Sequence, residues 1–193
     1  MDIFSAILGG FGISAPAGLN AWLPLLMVGL AGRFTNLIKL KAPFDTLTNT
    51  WVLVALSILL MIEIFADKIP AIDTINDIIH TFIRPVAGGI LFAAHSGAVG
   101  GLDPTASFIL GLMSAGSVHA VKATARPVIT ATTGGIGNPL VSFLEDFLAA
   151  GATGLALVAP IAAAILMALL LGLAFFVVMR LRARWRRKKQ AEI

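Results

Sequence analysis

The residues of this chain that could do chemistry fall in three short stretches and one isolated position. Between Ile62 and Pro85 lie Glu63, Asp67, Lys68, Asp73, Asp77, His80 and Arg84. Glu63 and Asp67 are four apart and would share a helical face, and the adjacent Lys68 could neutralise one of them. After Pro70, Asp73, Asp77, His80 and Arg84 recur at i, i+4, i+7 and i+11. That is one polar stripe, with Ile72, Ile75, Ile78, Ile79, Phe82 and Ile83 covering much of the remaining surface. Two readings compete for it. In one, the stripe faces water on an interfacial amphipathic helix, and Lys68 and Arg84 satisfy the nearby acids. In the other, Glu63, Asp67 and Asp73 line a polar cavity between spans, since acids at membrane depth usually mark paths for ions, protons or substrates. Glu63 is the sharper case, because twelve mostly apolar residues precede it.

The second stretch is His119, Lys122 and Arg126, at i, i+3 and i+7 before Pro127. Lys122 and Arg126 could snorkel to the headgroups, pair with Glu63, Asp67, Glu145 or Asp146, or hold an anionic headgroup. The third runs from Thr130 through Thr132, Thr133, Gly134, Gly135 and Gly137 to Asn138 and Pro139. It is polar without charge and fits a regular helix poorly. Either it is an ordinary connection, or its hydroxyls, amide and backbone groups coordinate an ion or solute near helix ends. It lacks the Gly-x4-Gly-Lys-Ser/Thr pattern of a phosphate loop. Glu145 and Asp146 follow in a short apolar helix, facing water or the basic group near Lys122. Asn20 is the isolated polar residue of the first full span. Three scattered histidines and no cysteine give no ligand spacing, so neither a metal nor a cofactor is expected.

The elements that must position these residues belong to a membrane protein. Of 193 residues, 58% are hydrophobic and 12% charged, with no cysteine. A soluble domain carries about twice that charged fraction, so a soluble Rossmann-type enzyme, a disordered chain and a secreted disulfide scaffold are excluded. Seven of the fourteen basic residues lie between Arg180 and Lys189. The remainder carries seven basic and ten acidic residues, so the interior is net acidic. The basic end reads as a cytoplasmic anchor after the last span with affinity for anionic lipid. It accompanies no nucleic-acid recognition motif. No basic n-region opens the sequence, which reads as part of the mature protein.

Uncharged runs cover residues 3–32, 46–62, 85–102, 104–121, 127–144 and 147–179. About 20 apolar residues cross a bilayer as a helix, with about 17 as the lower limit. The first run is too long for one span. Gly9, Gly10, Gly12 and Pro16 divide it into a short piece, 3–13, and a spanning piece, 16–32, with Pro16 in the first turn of the second. The last run divides into an amphipathic piece, 139–150, closed by Gly151 to Gly154, and a long helix over about 155–183. Gly18-Leu19 and Gly154-Leu155 each precede a proline by the same spacing, which suggests an internal repeat with half-length segments. Asp103 is a suitable N-cap with Pro104 at the first helical position, and the helix that follows should reach about Ala125. Gly88-Gly89 and Gly111 to Gly116 permit close helix packing. The expected fold is an all-α integral membrane protein of five to six segments, some half-length or re-entrant, over 1–183, with a basic tail at 184–193.

Together these segments resemble a family of small bacterial integral membrane proteins, domain of unknown function number 4126. The resemblance is carried by the Glu63–Pro70, Asp73–Pro85 and Thr132–Asp146 blocks, with the Gly12–Pro24 opening also similar, and covers about residues 4–175. It implies a membrane location and singles out Glu63, Asp67, Lys68, Asn138 and Glu145 without assigning them roles.

The function expected is a permease or channel-like transporter in the inner membrane, with the C-terminus cytoplasmic. Its partners would be lipids, an ion or small solute, and a second copy of the chain, since five short spans make a thin bundle. One alternative is a structural or accessory protein that organises a partner or lipids. Another is an enzyme acting on a lipid headgroup, with Asp67, Asp73 or Asp77 as base or metal ligand and Lys122 and Arg126 holding phosphate. No nucleophile–base arrangement supports the enzyme.

Overall fold

The computed structural model describes residues 3–66, 70–100 and 102–191, with the backbone path alone for 70–77, 178 and 181–191. Its described residues form seven α-helices: α1 (Ile3–Ser14), α2 (Trp22–Phe34), α3 (Thr50–Ala66), α4 (Pro70–Val99), α5 (Pro104–Thr133), α6 (Asn138–Val158) and α7 (Pro160–Ala191). Four stretches are long and apolar enough to cross a membrane: Ile78–Val99, Pro104–Thr133, Asn138–Val158 and Pro160–Val177. Three shorter apolar helices, Ile3–Gly18, Trp22–Phe34 and Thr50–Ala66, accompany them. The chain is therefore a multi-pass all-α membrane protein with half-length helices among full spans. Its outer face is aliphatic and aromatic, as contact with lipid tails requires.

The first uncharged run breaks later than its composition suggests. α1 passes through Gly9, Gly10 and Gly12 and tightens into a 3-10 turn over Ala15–Gly18, which contains Pro16. The interruption falls at residues 19–21. Pro24 explains it: a proline ring clashes with the carbonyl four residues earlier, which is that of Asn20. Asn20 itself opens α2, its Oδ1 accepting from the backbone N–H groups of Trp22 (3.1 Å) and Leu23 (2.9 Å). That local satisfaction is what a helix start needs.

The second long run also divides elsewhere than expected. α6 continues through Gly151 to Gly154 to Val158, and the interruption is at Ala159, directly before Pro160. The piece at 139–150 is thus part of a helix of spanning length. The two Gly-Leu stretches share a spacing but break at different points, one between its glycine and its proline and one next to its proline.

α5 likewise outruns Ala125. It passes Pro127 and ends only at Gly134 and Gly135, whose φ values of +61° and +87° take the chain left-handed. Both backbone N–H groups return to the Thr130 carbonyl, a glycine-dependent helix stop. At the other end Asp103 caps α5, accepting from Thr105 N and Ala106 N at 2.9 and 3.0 Å.

The core is a hairpin of α4 and α5 with α1 laid against it. Gly88 and Gly111 face one another so closely that a Cβ on either would meet the other's carbonyl oxygen. Gly116 leaves room for the Pro85 ring, 3.7 Å from where its Cβ would stand. α1 fits because its glycines present no side chains: Gly10 lies under the Phe92 ring, and Gly12 under the Pro160 carbonyl at the α6–α7 break.

This close packing makes a direct prediction. Gly111→Ala should lower the unfolding free energy in detergent by about 1–3 kcal/mol, the usual cost of overpacking. Gly97→Ala adds the same methyl group where nothing lies within 4 Å, and should not lower it. Equal shifts in the two melting curves would refute the close approach of α4 and α5.

Candidate functional site

The buried face of α5 carries five polar side chains, Ser107, Ser114, His119, Lys122 and Arg126, interleaved with Gly111, Ala115 and Val118. Two charge clusters form along it.

The first joins α3, α4 and α5. Glu63 and Arg84 are both almost wholly buried, and Arg84 Nη2 donates to Glu63 Oε1 at 3.0 Å. His80 Nε2 lies 3.4 Å from the same oxygen, and the His80 ring stands edge-on to Trp22 with centroids 6.2 Å apart. Arg84 Nη1 approaches His119 Nδ1 at 3.0 Å, while His119 Nε2 lies 3.1 Å from Thr81 Oγ1. A guanidinium can only donate. Nδ1 must therefore be the acceptor, and the Nε2 proton is the one offered to Thr81. The network fixes His119 as the neutral Nε2–H tautomer. Glu63 Oε2 is buried and has no hydrogen-bond partner among the described residues.

Among the described residues of α4, the charged and histidine side chains turn inward and several large apolar ones turn outward. His80 and Arg84 are buried, while Ile78, Ile79 and Phe82 are 63%, 52% and 75% exposed. For these two side chains the water-facing interfacial reading is corrected: the apolar side is outside and the polar side inside, as lipid surroundings demand.

The second cluster joins α5 and α6 to the break. Lys122 Nζ lies 3.0 Å from Glu145 Oε2 and donates to the Leu19 carbonyl at 3.1 Å. The helix break frees that carbonyl, and a buried cation takes it up. Arg126 Nη2 donates to Glu145 Oε2 at 2.9 Å and to Ser142 Oγ at 2.8 Å. Asn20 Nδ2 donates to Asp146 Oδ1 at 2.9 Å, so one side chain caps α2 and ties it to α6. Lys122 and Arg126 are both buried and do not snorkel; they pair with Glu145.

The Thr130–Asn138 stretch behaves differently. Thr130 and Asn138 exchange hydrogen bonds at 3.0–3.1 Å across the α5–α6 turn. Thr132 and Thr133 lie in the last turn of α5 with their hydroxyls returned to Val128 and Ile129 carbonyls. Both are exposed and far along the helix from Lys122. The stretch is helical up to Thr133, so the expectation of an irregular polar connection there is corrected. Asp67 and Lys68 lie outside the described residues, as do the side chains of Asp73 and Asp77. Among the described residues no group of histidines and carboxylates is arranged to hold a metal.

Several residues enter the site that spacing alone did not single out. Arg84 and His80 belong to the recognised stripe, yet their role as buried partners of Glu63 depends on which way α4 turns. Ser114 receives the Ser14 hydroxyl at 2.9 Å in the interior; its signal was its place seven residues after Ser107. His95 Nε2, Ser96 Oγ and Ser107 Oγ are buried near the α4–α5 loop without a hydrogen-bond partner among the described residues.

Among known families, the model of one described as Domain of unknown function (DUF4126) matches residues 7–180. The chain belongs to this family. No curated protein and no solved structure matches it.

The Glu63–Arg84 pair can be tested by a double-mutant cycle. Removing one partner of a buried pair strands the other, at about 3–5 kcal/mol. Glu63→Leu should show that loss in unfolding measurements in micelles, and Glu63→Leu with Arg84→Met should recover most of it. A double variant no more stable than the single one would remove the pair as the coupling between α3 and α4.

Proposed function

We propose that this member of a family without an assigned activity is a small permease of the bacterial cytoplasmic membrane. In this reading, an ion or small polar solute moves along the buried face of α5. The reach of that face supports the reading. From Ser107 to Arg126 it extends about 28 Å at ~1.5 Å per residue, close to the ~30 Å hydrocarbon thickness. Polar groups recur along it: the Ser14–Ser114 pair, then Arg84 and His119, then Lys122 with Glu145. Polar groups this deep are costly in a membrane, and a purely structural bundle could use apolar packing instead. The interrupted first helix adds to the argument, since broken helices near the middle of a bundle are where transporters hold substrates.

A second reading has its own observation. Arg84, Lys122 and Arg126 each have a carboxylate partner, and such pairs also serve to lock helices together. An accessory protein that organises lipids or a partner would need no more.

Reconstitution separates the two readings. Proteoliposomes should pass at least one of a panel of protons, alkali cations, halides and small metabolites. Ser114→Leu and Glu63→Gln should each cut that flux by about tenfold or more, equivalent to ~1.4 kcal/mol on the barrier. Folded protein that passes nothing on the panel would sink the permease and leave the accessory reading. The proposed orientation, with the tail cytoplasmic by its positive charge, has a clean test because the chain has no cysteine. A single Gln190→Cys should react with an impermeant maleimide only in inverted vesicles, and labelling of intact spheroplasts would reverse the topology.

A further inference from the structure

A cavity of about 400 Å³ lies between α5, α6 and α7, within the range of small-molecule sites. Its wall on α7 runs from Met167 to Val177, about 15 Å at ~1.5 Å per residue, so the space is an elongated slot. Leu173 and Val177, at its outer edge, are 60% and 44% exposed on the lipid-facing side of α7. The slot therefore opens sideways towards the membrane.

The lining is aliphatic except for Lys122 and Glu145. Lys122 is already engaged by Glu145 Oε2 and the Leu19 carbonyl. Both cations that reach Glu145 do so at Oε2. Oε1 takes no hydrogen bond from a described residue, and the Glu145 side chain is 13% exposed. The slot thus offers one hydrogen-bond acceptor among apolar walls, and an acceptor there is costly until a donor meets it. The two charged lining residues, Lys122 and Glu145, pair with one another, so the lining has no net charge to hold an ionic headgroup. A long apolar space with one acceptor and no net charge fits a chain-like molecule with a neutral donor.

We propose that this slot binds a long-chain alcohol from the lipid phase, its chain along α7 and its hydroxyl donating to Glu145 Oε1. The inference rests on the permease reading only in making the bound molecule a candidate substrate; binding itself does not require transport.

The test uses the full chain in nanodiscs with a diazirine-bearing long-chain alcohol and its methyl ether of equal chain length. The alcohol should label the 118–129 and 167–177 segments about tenfold more than the ether, the worth of one hydrogen bond to a carboxylate. Ala174→Trp, which fills the slot without touching the ion cluster, should abolish that labelling. Equal labelling by alcohol and ether would overturn the proposal, as would labelling indifferent to Ala174→Trp, since either marks ordinary contact with lipid. Selective labelling alongside absent flux would establish the site while removing the permease. Solute flux without selective labelling would do the reverse.

Discussion

A charge that enters a hydrocarbon layer must meet its opposite there, and the interior of this protein is arranged around that requirement. Water and salt do not screen the pair between Arg84 and Glu63 as they would at a surface. Both side chains are almost wholly buried, and their contact fixes α3 against α4. Arg84 spends a second guanidinium nitrogen on His119, which extends the same constraint to α5. Helix rotation is consequently not free: turning α4 by one residue would aim the guanidinium at lipid.

The second cluster applies the same rule to backbone. Interrupting a helix within a membrane strands carbonyl and N–H groups that have no water to turn to. At residues 19–21 they are met from three sources. Asn20 satisfies two N–H groups of α2, Lys122 takes the Leu19 carbonyl, and Asp146 holds the Asn20 amide. The break is thus built into the charge network. Close packing makes this geometry attainable. The glycines of α1, α4 and α5 bring backbones near enough for short side chains such as Ser14 and Ser114 to meet.

Much of the fold was legible in the sequence. Composition and uncharged runs gave a helical membrane protein with long and half-length segments, and Asp103-Pro104 marked a helix start that the structure bears out. Helix ends were less legible. Pro127 resembled a terminator, yet α5 passes it, because in lipid the helix remains the cheapest way to satisfy a backbone and neighbouring helices compensate for one lost bond. Gly9 to Gly12 looked like a breaker for the same reason in reverse: glycines that weaken a helix in water serve as contact surfaces when helices pack against each other.

The sequence by itself determined that the chain lives in a membrane, that its polar residues lie in a few stretches, and that Glu63, Lys122, Arg126 and Glu145 are out of keeping with lipid. Those conclusions follow from residue type and local spacing. Only the tertiary structure decided which charge meets which. Arg84 and His119 are 35 residues apart, and Asn20 and Asp146 are 126 apart. No periodicity along one segment can set such pairings, because they depend on the rotation and depth of each helix relative to its neighbours, and those are fixed by how small residues pack.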